Sequence, residues 1–240
     1  MPSSPSRQAE LASLIARPFA HRGLHGEGRP ENSRAAFEAA IAAGVGIELD
    51  VQASADCEAI VIHDYELERL TEGYGAIRTL GAAELGRIRL KGSDETIPTL
   101  AEILALIAGR APLLIEVKSP GRRVAGLNRA VLRALEKYQG PMAVMSFNPG
   151  VGRRLARQAP HILRGLVVTE KGAPWRRWIR RRLALWWARP DFLAYDIRDL
   201  PSRFAAASGL PVLTWTCRSE DDRARAAQHA DQIIYETLPA

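Results

Sequence analysis

Residues 47–51, Ile47-Glu48-Leu49-Asp50-Val51, decide how the chain is read. Apolar and acidic residues alternate there with the period of a strand, whose successive side chains point to opposite faces. Leu49 and Val51 belong to a packed face. Glu48 and Asp50 point together to the other, roughly 6.7 Å apart along the strand. Two buried carboxylates without partners are costly. A hard divalent cation bound through oxygen would offset that cost, and a phosphate-bearing ligand could complete its coordination. An edge strand with its acids in water shows the same alternation, so the surrounding chain must decide.

Outward from this stretch, apolar runs alternate with helical ones. Residues 6–16 read as a helix and Pro18-Phe19-Ala20 as a short strand ending on His21-Arg22-Gly23. After a Gly-rich loop, Asn32 and Ser33 are candidate N-caps of a helix over Ala35–Ala43, which Gly44 ends. Beyond the acidic strand, helices are expected over 99–108, 124–138, 149–158, 174–187, 199–207 and 219–228. Strands are expected over 113–118, 142–146, 164–168, 192–196, 212–215 and 232–236. Eight strands with intervening helices in 240 residues match a closed (β/α)8 TIM barrel of the α/β class, with a doubly wound open sheet as the alternative. Residues 1–240 then form a single domain with a short insertion at about 64–98, after the second strand, expected to act as a lid or ridge.

Composition is that of a soluble globular chain, 47% hydrophobic and 25% charged. Cys57 and Cys217 are too few for a disulfide framework or a thiolate metal site and are expected to be buried or half-buried, in a reducing compartment. The N-terminus lacks the pattern of a signal peptide and no run reaches the ~20 apolar residues of a membrane span, which points to the cytoplasm. The net charge of +6 permits an anionic partner without choosing one.

A barrel carries its chemistry at the C-terminal ends of its strands, and the polar residues that interrupt apolar runs fall there. His21 and Arg22 end one strand, Glu48 and Asp50 another, and His63 and Asp64 follow the run Ala59-Ile60-Val61-Ile62. Glu116 and Lys118 share the face opposite Leu113, Ile115 and Val117. Ser146-Phe147, Asp196 and Trp215 end later strands.

These residues resemble the glycerophosphodiester phosphodiesterases, of the PLC-like phosphodiesterase superfamily. The segments that carry the resemblance are His21-Arg22-Gly23, Pro30-Glu31-Asn32-Ser33, Glu48-Leu49-Asp50-Val51, His63-Asp64, Ile97-Pro98-Thr99-Leu100, Glu116-Val117-Lys118, Ser146-Phe147 and Trp215-Thr216. The resemblance implies hydrolysis of a glycerophosphodiester to sn-glycerol 3-phosphate and an alcohol. It implies Glu48, Asp50 and Glu116 as ligands of Mg²⁺ or Ca²⁺, His21 and His63 as general acid and base, and Arg22 and Lys118 as a phosphate clamp. Phe147 and Trp215 are expected at the substrate, Trp215 either stacking on the alcohol's carbon skeleton or filling the core, with Glu31, Asn32 and Asp64 as supports. The nucleophile is water or a neighbouring hydroxyl of the substrate. Two departures stand out: Cys217-Arg218 where the family has an apolar residue and Asn, and Tyr235-Glu236-Thr237-Leu238-Pro239 where it commonly closes with Thr-Asp near a Pro.

Elementary chemistry agrees with the implied roles. Three carboxylates without clustered Cys or His suit an oxygen-preferring cation rather than zinc. Arg22 and Lys118 can offset charge that grows at phosphorus, and two histidines can divide the proton work. His25, His161 and His229 stand without such neighbours and read as structural, and Asp196 and Asp199 as helix caps.

The helix at 174–187 carries four of the five tryptophans and five arginines. At about 100° per residue Trp175, Trp178, Ile179, Leu183, Leu185 and Trp186 share a face. The expectation is that this face packs on the sheet with the arginines in water. The alternative is an interfacial helix in peripheral contact with anionic lipid at the inner membrane, which would suit lysophospholipase D-type hydrolysis of a lysophospholipid. An alternative of another class is a non-catalytic binder of nucleic acid or anionic lipid, although the set of acids and histidines argues against a nucleic-acid partner.

Overall fold

Short apolar strands separated by helices run parallel, because a connection that contains a helix returns the chain to the same end of the sheet. In the computed structural model that arrangement closes into a barrel. The structure describes residues 5–121, 124–170 and 174–236, with side chains described throughout except at 174–177. The chain runs α1 (Pro5–Leu14), β1 (Phe19–Ala20), α2 (Arg34–Ala42), β2 (Gly46–Ala53), β3 (Ala59–Val61), α3 (Ala82–Leu85), α4 (Leu100–Ile107), β4 (Leu113–Val117) and α5 (Ala125–Leu135). It continues through β5 (Met142–Ser146), α6 (Pro149–Gln158), β6 (Leu163–Val168), α7 (Pro174–Ala188), β7 (Phe192–Asp196), α8 (Arg203–Ser208), β8 (Val212–Cys217), α9 (Glu220–His229) and β9 (Gln232–Tyr235).

Eight parallel strands close in the order β1-β2-β4-β5-β6-β7-β8-β9, with β9 returning to β1. The run at 59–62 supplies β3, which is antiparallel to the end of β2 and lies outside the ring. Alternation along β2 sends Ile47, Leu49 and Val51 outward into the layer that holds Phe37 of α2 and Ile103 of α4. Each such buried side chain contributes about 1.5–3 kcal/mol. Inside the ring, Leu114, Met145, Phe192 and Leu213 stack into a second cluster, which Leu11 and Leu14 of α1 join. Gly46 is required where β1 meets β2, because a Cβ there would lie 2.5 Å from the Phe19 ring.

The insertion holds a 3-10 turn (Ile77–Thr79), α3 and an apolar cluster of its own that includes Leu67, Ile77, Leu85 and Leu90. Its Glu95 accepts hydrogen bonds from the backbone N–H groups of Arg34 (2.7 Å) and Ala35 (3.0 Å), so it also holds the start of α2. Ser33 caps that helix, accepting from the Ala36 N–H, whereas Asn32 is used at the barrel mouth.

Three expectations are corrected. Residues 197–199 form a 3-10 turn, and α8 begins only at Arg203, where the Ser202 hydroxyl accepts from the N–H groups of Phe204 and Ala205. Cys57 is exposed at the turn between β2 and β3, while Cys217 is buried. The Trp face of α7 does not pack on the sheet: Trp178, Ile179, Leu183 and Trp186 are all exposed, with Trp186 at 73%. Leu185, expected on the Trp face, instead joins Ala184 and Ala188 on the side that meets the barrel. A helix with two apolar arcs gives a periodicity that cannot tell which arc is covered. Trp175, Arg176 and Arg177 lie outside the described side chains, and Thr237, Leu238 and Pro239 outside the described residues.

Candidate active site

Strand register assembles the site. Asp50 of β2 pairs with Glu116 of β4, and Glu48 lies two residues earlier on the same inward face. The three side chains offer carboxylate oxygens within 4.8 Å of one another, and Glu48 and Asp50 are 1% exposed. On the other side, Ala20 pairs with Ile47 of β2 and with Tyr235 of β9. Continuing both registers by one residue sets His21 level with Glu48 and with Glu236.

The cations sit among these acids. Lys118 Nζ donates to Glu116 Oε1 at 2.8 Å and lies 3.1 Å from Asp50 Oδ1. Arg22 has a left-handed backbone (φ 57°), which turns its own N–H onto Glu48 Oε2 at 3.1 Å. Its guanidinium donates to Glu31 Oε1 at 2.8 Å and lies 3.1 Å from Asp50 Oδ2. Asn32, also left-handed, fixes Asp50 twice: Nδ2 donates to Oδ2 at 3.1 Å, and Oδ1 accepts from the Asp50 N–H at 3.2 Å.

Burial raises the Glu48 carboxyl well above its ordinary pKa, and repulsion by Asp50 and Glu116 adds to it. Glu116 is raised for the same two reasons, burial and Asp50. Burial also opposes ionisation of Asp50, but Lys118 and Arg22 outweigh it and hold that carboxyl at about 2. Two cations therefore do not satisfy three acids. A donor set of three buried carboxylates in anionic surplus fits a hard divalent cation.

Each rim histidine has a carboxylate at Nδ1. His21 Nδ1 is 2.9 Å from Glu236 Oε1, and Arg218 clamps that carboxylate with Nε (2.6 Å) and Nη2 (2.8 Å). His63 Nδ1 is 2.7 Å from Asp64 Oδ1, and Arg69 clamps Asp64 while also bonding both oxygens of Glu31. Gln52 on β2 donates to the carbonyls of His63 (2.8 Å) and Asp64 (2.5 Å), which pins the segment to the barrel. An acid at Nδ1 fixes the neutral ring with its proton there and leaves Nε2 as the free acceptor. Burial lowers the pKa of both rings. His21 Nε2 lies 3.9 Å from Glu48 Oε2.

A cavity of about 510 Å³ at the mouth is lined by His21, Glu48, His63, Lys118 and Trp215. A larger one of about 950 Å³ shares His63, Glu116, Lys118 and Phe147 with it and extends to Tyr65 and Pro120. Phe147 meets Trp215 edge to face, centroids 5.6 Å apart, and the indole Nε1 donates to the Ala194 carbonyl at 2.9 Å. The Ser146 hydroxyl donates to the Val117 carbonyl at 2.7 Å and holds the ends of β4 and β5 together. Asp196 caps the 3-10 turn after β7, whereas Asp199 accepts from Thr169 and the Glu170 N–H and so holds the loop after β6 instead.

His21, Arg22, Glu48, Asp50, His63, Asp64, Glu116, Lys118, Phe147 and Trp215 thus lie together at one mouth, whereas Ser146 is buried between β4 and β5. Glu236, Arg218, Arg69 and Gln52 belong to the mouth as well. Glu236 is not among the residues that the sequence pattern assigns to the site; the signal for it is an acid closing the last strand, which barrel closure places beside the histidine that ends the first.

Fold and rim together define a TIM barrel with an acidic, cation-competent mouth flanked by two carboxylate-backed histidines. The chain belongs to the Glycerophosphoryl diester phosphodiesterase family, whose model matches residues 21–236. It is 35% identical over 159 residues to a glycerophosphodiester phosphodiesterase of Caldanaerobacter subterraneus subsp. tengcongensis, covering 62% of this chain and 65% of that one. A glycerophosphodiester phosphodiesterase of Bacillus altitudinis is 37% identical over 155 residues, 60% and 63% of the two chains. The matched part is just under two thirds of the length of these curated relatives. Among solved structures, an Oleispira antarctica phosphodiesterase in complex with the product sn-glycerol-3-phosphate superposes with a TM-score of 0.78 at 25% identity, over 93% of this chain and 94% of that one.

Proposed function

We propose that the chain is a metal-dependent phosphodiesterase that hydrolyses a glycerophosphodiester to sn-glycerol 3-phosphate and an alcohol. The observation that carries this reading is the meeting of three buried carboxylates, two carboxylate-backed histidines and two cations at one barrel mouth. Family membership and the Oleispira barrel, solved with sn-glycerol-3-phosphate, support the product.

Glu48, Asp50 and Glu116 would hold Mg²⁺ or Ca²⁺, which supplies Lewis-acid stabilisation of phosphoryl oxygens when bound. Arg22 and Lys118, each 3.1 Å from an Asp50 oxygen, would offset the negative charge that grows as the new P–O bond forms. One of His21 and His63 takes the proton of the attacking hydroxyl through Nε2. The other must enter the step as imidazolium, Nδ1–H held by its carboxylate and a second proton on Nε2, and gives that Nε2 proton to the alcohol oxygen as its P–O bond breaks. Glu236 and Asp64 fix which nitrogen of each ring faces the reaction. Phe147 and Trp215 form an apolar wall for the carbon skeleton of the glycerol or the alcohol. Asn32, Glu31 and Arg69 hold the acids and the clamp in place. Two cysteines, one exposed and one buried, with no disulfide among the described residues, suit a reducing cytoplasm.

Product analysis on a panel of glycerophosphodiesters and lysophospholipids, with and without chelator, tests the reading. The expected result is chelator-sensitive release of sn-glycerol 3-phosphate from the glycerophosphodiesters. Turnover confined to lysophospholipids would instead select the second reading, lysophospholipase D-type hydrolysis, which the exposed apolar side of α7 favours. No turnover of any member, with ligand binding untouched by Glu48→Gln, would leave a non-catalytic binder.

A further inference from the structure

Residues 137–190 contain twelve lysines and arginines and one acid, Glu170, so this stretch carries +11 of a net +6 and the rest of the chain −5. Glu170 is already engaged by Tyr195, Ser202 and Arg181. The stretch includes α6 and α7, which pack side by side. Neither helix contributes an acid of its own to their outer surface. The same surface exposes Trp178, Ile179, Leu183, Trp186 and Trp187, each about half exposed or more. The Arg182 guanidinium lies 4.9 Å over the Trp178 ring. A groove of about 640 Å³ between the helices, lined by Arg153, Arg154, Arg157 and Trp187, runs to Gly121 and Asn148. Gly121 and Asn148 also line the larger cavity at the barrel mouth.

We propose that the α6–α7 face docks the barrel on an anionic lipid bilayer, with the side chains of Trp178, Leu183 and Trp186 at the acyl boundary and the arginines against lipid phosphates. Tryptophan and arginine on one helix face are the pairing that a headgroup region satisfies, since it offers anions and an apolar layer a few ångströms apart. A nucleic acid would neutralise the arginines but leave the aliphatic Ile179 and Leu183 in water. A second copy of the chain would bring two uncompensated basic faces together. The docked surface adjoins the mouth through Gly121 and Asn148, so the proposal goes beyond the hydrolytic reading and does not depend on it.

The test is sedimentation with vesicles of phosphatidylcholine alone and of equal parts phosphatidylcholine and phosphatidylglycerol, at low ionic strength. Binding is expected to the anionic vesicles only, with a blue shift of tryptophan emission. Arg154→Gln, Arg157→Gln and Arg180→Gln should each lower the partition by up to about fivefold, equivalent to ~1 kcal/mol per charge near the surface. The double variant Leu183→Ser/Trp186→Ser should bind more weakly and lose most of the blue shift. Because both residues are exposed, its thermal unfolding and its turnover of a water-soluble glycerophosphodiester should match the parent. Absence of binding to anionic vesicles would overturn the proposal. So would binding that the double variant retains in full, tighter binding of the parent to duplex DNA than to the vesicles, or a parent dimer that the double variant abolishes.

Discussion

Nδ1 of His21 lies 2.9 Å from Oε1 of Glu236, so the residue that follows the first strand and the one that follows the last meet at the barrel mouth. Arg218 holds that carboxylate from behind, and the hydrogen bond from His21 together with Arg218 keeps its pKa well below the usual range. Glu236 is a positioning residue for the histidine. Glu236→Gln should lower kcat by about 10- to 100-fold, the usual effect of losing a carboxylate that orients an imidazole. Metal-induced stabilisation should be unchanged, and Glu236→Asp should recover part of the rate. A Gln variant with the parent's kcat would remove Glu236 from the site.

The histidines themselves carry a larger share. His21→Ala or His63→Ala should cost on the order of 10² to 10⁴ in turnover while leaving the cation-dependent rise in Tm in place. A double variant turning over near the parent rate would refute the acid and base roles.

Glu48→Gln should abolish both turnover and the rise in Tm on adding Mg²⁺ or Ca²⁺. In chelator the same variant should be at least as stable as the parent, because it removes the charge whose burial, with repulsion by Asp50 and Glu116 added, raises the Glu48 pKa. A variant less stable than the parent in chelator, yet still stabilised by the cation, would contradict the ligand assignment.

The pH dependence follows from the same acids. With its pKa raised, first by burial, folded Glu48 holds a proton that the unfolded chain releases. Its contribution is fully present below the ordinary value of 4.5 and is lost as pH rises through the raised one. Asp50, held at about 2 against an ordinary 3.8, acts oppositely and in a lower window: its contribution is lost as pH falls through that range. The metal-free protein should therefore lose stability as pH rises above the ordinary Glu48 value of 4.5 and through the raised one, and saturating cation should remove that loss, since binding needs the carboxylates ionised. Identical pH profiles of Tm with and without cation would contradict this.

Much of this was legible in the sequence. The 2-residue period at 47–51 and the strand-and-helix alternation led to the barrel, and the acids, cations and histidines singled out there lie together at its mouth. What was not legible depends on closure or on choice of face. Glu236 is 215 positions from His21, and only the ring makes them neighbours. The α7 pattern fitted a packed Trp face, but small residues, Ala184 and Ala188, are what the neighbouring helix and strands accept. Cys57, a residue type that is usually buried, sits at φ 61° in an exposed turn, which hydrophobicity does not foresee.

The central claim is that Glu48, Asp50 and Glu116 hold a cation with which this mouth cleaves a glycerophosphodiester. Phosphorus NMR of a glycerophosphodiester incubated with the protein tests it most directly, first in chelator, then after Mg²⁺ or Ca²⁺ is restored, and again with Glu48→Gln. The account predicts no change in chelator, conversion to the sn-glycerol 3-phosphate resonance once cation is restored, and none with the variant. Conversion in chelator, or conversion by Glu48→Gln at the parent's rate, would contradict it.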